Sequence, residues 1–195
     1  IGIATTRLLE FLGFEVVVLK DRKCCGRPMI SKGLLDQAGE NARHNVSLLL
    51  PYVQQGVTIV GCEASCISAI TDDWPDLLDG DEQSQEIGDA VMTVEELLVE
   101  TFDDGGQQIQ WTDVTKKVQF FGHCHQRALT GTSKTMVALN FPPGYQATEI
   151  SAGCCGMAGS FGYEKNHIDV GSAAGEDRLF PAVSNSDPNV EIATT

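Results

Sequence analysis

Residues 15–26 read EVVVLKDRKCCG, an apolar run rich in valine that passes through a polar turn into two adjacent cysteines and a glycine. The β-branched run predicts a short buried strand over Glu15–Lys20, delivering Cys24-Cys25-Gly26-Arg27-Pro28 into a turn. Upstream, Leu8, Leu9 and Leu12 share one helical face, and Gly13 stops that helix. Downstream, Leu34, Leu35, Ala38, Ala42, Val46 and Leu49 recur every three or four residues. That spacing predicts a helix from Ser31 to about Gln55, which Pro51 kinks or ends. Val57-Thr58-Ile59-Val60 then reads as a second strand, running into Gly61-Cys62-Glu63-Ala64-Ser65-Cys66. Helix, strand, loop, helix, strand is the rhythm of a parallel sheet covered by helices.

The same order returns at an offset of 130 residues (154 − 24). Lys117–Phe121 predicts a strand ending in Gly122-His123-Cys124-His125. A helix near Leu129–Leu139, a Pro142-Pro143-Gly144 turn and a strand over Tyr145–Ile150 lead to Gly153-Cys154-Cys155-Gly156. A helix from Glu164 to about Leu179 and a strand over Asn189–Ala193 complete the copy. The expected fold is α/β, with two pseudo-repeated Rossmann-like βαβ units, parallel sheets and CCG loops at strand C-terminal ends, where open α/β sheets build their sites. The first unit is expected over 1–102 and the second over 114–195, with the boundary inside Asp103–Thr112. A helix through Val91, Val94, Leu97 and Leu98 closes the first unit. Superposing the copies places a further cysteine before Ile1 and another after Thr195, so the first unit is expected to be cut at its N-terminus, the second at its C-terminus, and the chain to be part of a longer one.

Composition narrows the function classes. The chain has 195 residues, 13 Lys+Arg against 27 Asp+Glu and a net charge of −14. With no cluster of basic residues to interrupt that field, nucleic acid is excluded as an expected partner. The acidic run from Asp72 to Asp89 reads as a solvated surface. No apolar stretch approaches the roughly 18 residues of a membrane span, so no transmembrane segment is expected.

The seven cysteines stand at 24, 25, 62, 66, 124, 154 and 155. Adjacent cysteines do not bridge each other without distorted geometry, and an odd set argues against a disulfide framework. Reduced thiols point to a cytoplasmic location. Clustered soft donors in such a chain suggest zinc, an iron–sulfur cluster or thiol redox chemistry.

The stretches Cys24-Cys25-Gly26-Arg27-Pro28, Gly61-Cys62-Glu63-Ala64-Ser65-Cys66, Gly122-His123-Cys124-His125-Gln126 and Cys154-Cys155-Gly156-Met157-Ala158-Gly159-Ser160-Phe161-Gly162-Tyr163-Glu164 resemble the cysteine-rich CCG domain family. That family includes the heterodisulfide reductase B subunit, the iron–sulfur subunits of glycolate oxidase and anaerobic glycerol-3-phosphate dehydrogenase, and the C-terminal region of FAD-linked lactate dehydrogenase-like oxidases. The resemblance implies an iron–sulfur electron-transfer module of a flavin-dependent 2-hydroxyacid oxidoreductase. It implies a cluster of the 4Fe-4S type held by Cys24, Cys25 and Cys66 in one unit and Cys124, Cys154 and Cys155 in the other, with Cys62 as an additional ligand of the first. FAD would sit on a separate domain or subunit, and a quinone or a carrier would accept the electrons. The location implied is cytoplasmic, at most peripheral to the inner face of the membrane. The alternative is a zinc or thiol-based site in a heterodisulfide-reductase-like or scaffold domain, since four sulfur ligands, or three with His123 or His125, also suit tetrahedral zinc.

Overall fold

The computed structural model describes residues 1–103 and 109–194, and the chain divides into two compact units, 1–108 and 109–195. It is a mixed α/β protein with all its described strands paired in parallel, in two small sheets. Of the boundary expected inside Asp103–Thr112, residues 104–108 lie outside the described residues.

The first unit begins with helix α1 (Gly2–Phe11), whose Leu9 is buried. The segment that follows departs from expectation. Residues 14–19 form no strand, and Val17 and Val18 are 53% and 60% exposed. Valine favours strands because it packs on a pleated, half-buried surface, and among the described residues no strand lies beside this run to supply one. Cys24-Cys25 therefore follows an unpaired stretch rather than a strand end, unlike the other cysteine loops.

Helix α2 (Arg27–Ile30) is a single turn, and α3 (Leu35–Val53) is the long helix of the unit. It buries Ala38, Ala42 and Val46 on the face that the sequence spacing marks. Pro51 does not end it: the helix runs on to Val53, although the proline has no N–H to give to the preceding turn. Strand β1 (Ile59–Gly61) leads to α4 (Ala64–Ser68), a π-turn over Ala69–Asp73 and α5 (Trp74–Leu77). After α6 (Glu82–Asp89), residues Val91–Thr93 form β2, parallel to β1 with Val60 opposite Met92. Only from Val94 does the expected helix run, as α7 (Val94–Asp103). The acidic run is likewise more than a solvated face: Trp74 and Ile87 within it are fully buried, in a core with Ala42, Val46, Ile67 and Val91.

The second unit is a three-stranded sheet of order β4-β3-β5, made of β3 (Lys116–Phe121), β4 (Tyr145–Glu149) and β5 (Val190–Thr194). Central β3 buries Val118 and Phe120, with Val118 opposite Ala147 on one side and Glu191 on the other. Between β3 and β4 the expected single helix is two, α8 (Cys124–Leu129) and α9 (Ser133–Leu139), separated by a left-handed Gly131. Beyond β4, helices α10 (Ile168–Asp177) and α11 (Leu179–Ser184) return the chain to β5. Among the described residues no helix is long and apolar enough to cross a membrane.

Candidate functional site

In the first unit the turn after β1 carries Cys62, and α4 carries Cys66. Glu63 caps α4, its carboxylate accepting from the amides of Ser65 at 3.0 Å and Cys66 at 2.7 Å and from the Ser65 hydroxyl. Burial alone would raise that carboxyl, but these hydrogen bonds outweigh it and hold Glu63 below the usual carboxylate range. The cap fixes the first turn of α4, and so fixes Cys66.

Lys23 to Arg27, about forty residues away in sequence, are tied down by polar groups from four helical segments. Asn45 of α3, 4% exposed, accepts from the Lys23 amide at 2.8 Å and donates to the Lys23 carbonyl at 3.1 Å. Trp74 donates to the Cys25 carbonyl at 2.8 Å. Arg27 donates from Nη2 to Ser68 Oγ at 3.0 Å, reaches the Ser65 carbonyl from Nε at 3.4 Å and forms an ion pair with Asp73. Gly26 takes φ +97°, and a Cβ there would approach the Ala38 Cβ to 3.2 Å, so glycine alone turns the loop this closely onto α3.

The outcome is a pair of thiols. Cys25 Sγ and Cys66 Sγ stand 3.3 Å apart, both half-buried. The hydrogen bond with Cys66 lowers the Cys25 thiol to about 6 against the opposing effect of burial, with help from the Arg27 amide. The Cys66 thiol is pushed up, first by its bond to Cys25, then by burial and by the neighbouring Glu63 carboxylate. The two thus share one proton, with thiolate character on Cys25. Cys24 is exposed, and Cys62 pairs with the Thr5 hydroxyl of α1 at 3.3 Å.

In the second unit Cys124 opens α8 and is exposed, with His123 as the preceding cap, its ring accepting from the His125 amide at 3.3 Å. The His123 and His125 rings meet edge to face at 5.2 Å. Cys154 is exposed, and its sulfur accepts from the Gly156 amide at 3.3 Å. Cys155 is half-buried against Ile150, Ala152 and Leu179. Arg127 of α8 donates to the carbonyls of Ala152 at 2.9 Å and Gly153 at 3.4 Å, and its guanidinium lies 5.8 Å from the centre of the Phe121 ring.

Of the seven sequence candidates, the structure brings Cys25 and Cys66 into contact. Among the described residues no group of three His, Cys, Asp or Glu side chains is placed to hold a metal ion. The donors fit an iron–sulfur group in kind, being thiols throughout, and two of them already converge, but the described placement does not complete a cluster site. The residues that sequence reasoning passed over are Asn45, Glu63, Asp73, Trp74 and Arg127. Asn45 alone left a signal, a polar residue on the apolar face of α3.

The comparisons with known proteins place the first unit's cysteine segments within a family match. Residues 1–71 match the model of the cysteine-rich CCG domain. The chain is 27% identical over 187 residues to the C subunit of anaerobic glycerol-3-phosphate dehydrogenase from Escherichia coli K12, covering 95% of this chain and 46% of that protein. It is 30% identical over 163 residues to D-2-hydroxyglutarate dehydrogenase of the same strain, covering 83% of this chain and 15% of that one. It is also 26% identical over 179 residues to lactate utilization protein A of Macrococcus caseolyticus, covering 86% of this chain and 68% of the relative. The chain therefore spans less than half the length of the first two relatives. No solved structure matches it. These relatives are a dehydrogenase subunit, a dehydrogenase and a lactate utilization protein. Residues 1–71, which bring Cys25 and Cys66 together, match the cysteine-rich CCG domain that the CCGRP and GCEASC stretches resemble.

Proposed function

We propose that this chain is the iron–sulfur electron-transfer module of a flavin-dependent 2-hydroxyacid oxidoreductase, of the lactate or glycolate type. The observation that supports it most is the approach of Cys25 and Cys66 to 3.3 Å from positions 41 residues apart, inside a matched CCG domain. Cys24, Cys25, Cys62 and Cys66 serve one unit, a CCG unit over 1–102, and Cys124, Cys154 and Cys155 serve its pseudo-repeat over 114–195. When bound, a cluster of the 4Fe-4S type supplies one-electron transfer between a flavin and an acceptor. The chain's own groups hold the thiols. Glu63 fixes the Cys66 turn, Asn45 and Trp74 fix the Cys24-Cys25 turn, and the core beneath both excludes water from one side of the pair. FAD belongs to a separate domain or subunit and the acceptor is a quinone or a carrier, met in the cytoplasm or at the inner membrane face.

The test is anaerobic reconstitution with iron and sulfide, followed by iron and sulfide assay and electron paramagnetic resonance of the reduced protein. Stoichiometric iron and a cluster signal that Cys25→Ser and Cys66→Ser each remove are expected. A wild-type chain that takes up no iron overturns the reading.

A second reading is favoured by the same pair. Two thiols 3.3 Å apart, one with thiolate character, suit a zinc site or thiol–disulfide exchange without any cluster. Zinc in place of iron on elemental analysis, or a reversible Cys25–Cys66 disulfide in a metal-free active protein, selects it.

A further inference from the structure

Cys24 and Arg27 are three positions apart, as are Cys124 and Arg127 (27 − 24 and 127 − 124). Each arginine lies in a single short helix, α2 or α8, beside its cysteine. Each reaches across to a different cysteine-bearing segment. Arg27 bonds the Ser65 carbonyl, the one directly before Cys66, together with Ser68 Oγ. Arg127 bonds the Ala152 and Gly153 carbonyls, the latter directly before Cys154. We propose that Arg27 and Arg127 are matching positioning residues, each a guanidinium clamp that holds two cysteine segments, distant in sequence, at the spacing their thiols need.

The physical case rests on the donors that each guanidinium brings to a second cysteine segment. In the second unit the Ala152 and Gly153 carbonyls lie outside helix and sheet, where a carbonyl left unpaired in a part-buried place is costly. In the first the Ser65 carbonyl already accepts from the backbone at the C-cap of α4 and from the Ser68 hydroxyl, and Arg27 adds the donor that ties it to the Cys24-Cys25 segment. A planar fork with five fixed donors serves several acceptors at once, which a single ammonium does not. The surroundings favour the fork in each case. Asp73 neutralises Arg27 and orients it, with the two side chains 17% and 21% exposed. The stem of Arg127 lies over Gly122, where a Cβ would come within 3.1 Å of its Cγ, and its charge lies by the Phe121 ring. Two different sets of neighbours hold two arginines in one role. The inference goes beyond the proposed function and depends on it only for what the thiols hold, not for how they are placed.

The test uses the full chain in its metal-free thiol form, with Arg27→Lys and Arg127→Lys. The first keeps a charge for Asp73, and both remove the fork. Oxidation with diamide and mapping of disulfide-linked peptides measures how readily Cys25 and Cys66 join, and hydrogen exchange at amides 152–156 measures the second loop. Arg27→Lys is expected to slow Cys25–Cys66 bond formation about tenfold, the effect of losing a charge-assisted hydrogen bond, while Arg127→Lys leaves that rate unchanged. Arg127→Lys is expected to raise exchange at 152–156 with β3 still protected, and Arg27→Lys to leave those amides as they are. A wild-type disulfide rate in Arg27→Lys, or wild-type exchange at 152–156 in Arg127→Lys, overturns the clamp. So does a rise in exchange across a whole unit, which assigns its arginine to general stability. Iron uptake by the wild-type chain is read separately: none, with both clamp results as expected, removes the cluster reading and leaves the clamps standing.

Discussion

The indole of Trp74 donates to the backbone carbonyl of Cys25 at 2.8 Å while its ring is 1% exposed. One side chain thus fills the core with Ala42, Val46, Ile67, Ile87 and Val91 and fixes the peptide that carries a candidate ligand. It follows directly on the π-turn Ala69–Asp73, whose last residue pairs with Arg27. The helical run that begins at Cys66's own turn therefore bends back to grip the other cysteine segment twice, through charge and through an indole N–H.

Replacing Trp74 with Phe keeps most of the buried ring and removes the donor. The Cys25 carbonyl loses this partner, and the first unit is expected to lose about 1–3 kcal/mol of stability. Urea unfolding followed by circular dichroism measures the change. An unchanged midpoint would mean that water or another group replaces the indole, and that the hydrogen bond does not hold the loop.

Asn45 offers a sharper test because it both accepts and donates. Asn45→Ala removes the Lys23 bonds and is expected to cost about 1–3 kcal/mol at any pH. Asn45→Asp keeps the acceptor for the Lys23 amide but turns a carboxylate toward the Lys23 and Cys24 carbonyls, at 3.1 and 3.5 Å in the native structure. Burial and those carbonyls raise the folded-state value of the introduced carboxyl above its unfolded value of about 4. The variant is then most stable below that unfolded value and loses stability as pH rises through the folded one. Unfolding from pH 4 to 8 should show a deficit that grows with pH for Asn45→Asp and a flat one for Asn45→Ala. Parallel profiles would sink the assignment of the carbonyl contacts.

How much of this was legible in the sequence depends on the range of the interaction that decides each element. Gly61-Cys62 and Gly122-His123-Cys124 were readable as strand ends because the apolar runs before them find partners, β1 with β2 and β3 with β4 and β5. The run at 15–20 carries a stronger local signal than Ile59–Gly61, yet forms no strand, because pairing is a property of the neighbour and not of the valines. The same limit hid the site's supports. Trp74 and Cys25 are 49 positions apart and Asn45 and Lys23 are 22 apart, and no local pattern marks either bond. The cysteines themselves were visible, while the convergence of Cys25 and Cys66 became visible only with the fold.

Near the end of the chain, Asp187 accepts from the Asn189 amide and side chain, both at 2.9 Å, just before β5. The amide bond first, then the side chain, holds its carboxyl below the ordinary aspartate value. A lowered folded-state value means that the carboxylate favours the fold above the unfolded value of about 4 and ceases to do so as pH falls through the folded one. Wild type should therefore exceed Asp187→Ala in stability at neutral pH, with the gap closing below about pH 4. A gap that persists into acid would assign the difference to something other than the charge.

Gly156 meets Gly171 of α10 backbone to backbone, which is what seats the second CCG loop on that helix. A Cβ on Gly156 would lie 1.9 Å from the Gly171 carbonyl oxygen, and one on Gly171 would lie 2.9 Å from the Gly156 carbonyl oxygen. Neither obstacle is a flexible side chain, so the backbone itself would have to move. Gly131 provides the control, with a similar φ of +78° against +84° at Gly156 but nothing within 4 Å of the added carbon. Gly131→Ala is expected to cost about 1–2 kcal/mol, the strain of a left-handed alanine alone. Gly156→Ala adds overpacking of about 1–3 kcal/mol to that strain, and Gly171→Ala incurs the overpacking alone. The expected order of destabilisation is Gly156→Ala above both others, with Cys154 and Cys155 alkylated faster in Gly156→Ala and Gly171→Ala than in Gly131→Ala. Equal losses in Gly156→Ala and Gly131→Ala would show that the loop yields freely, and that α10 does not set where its two thiols stand.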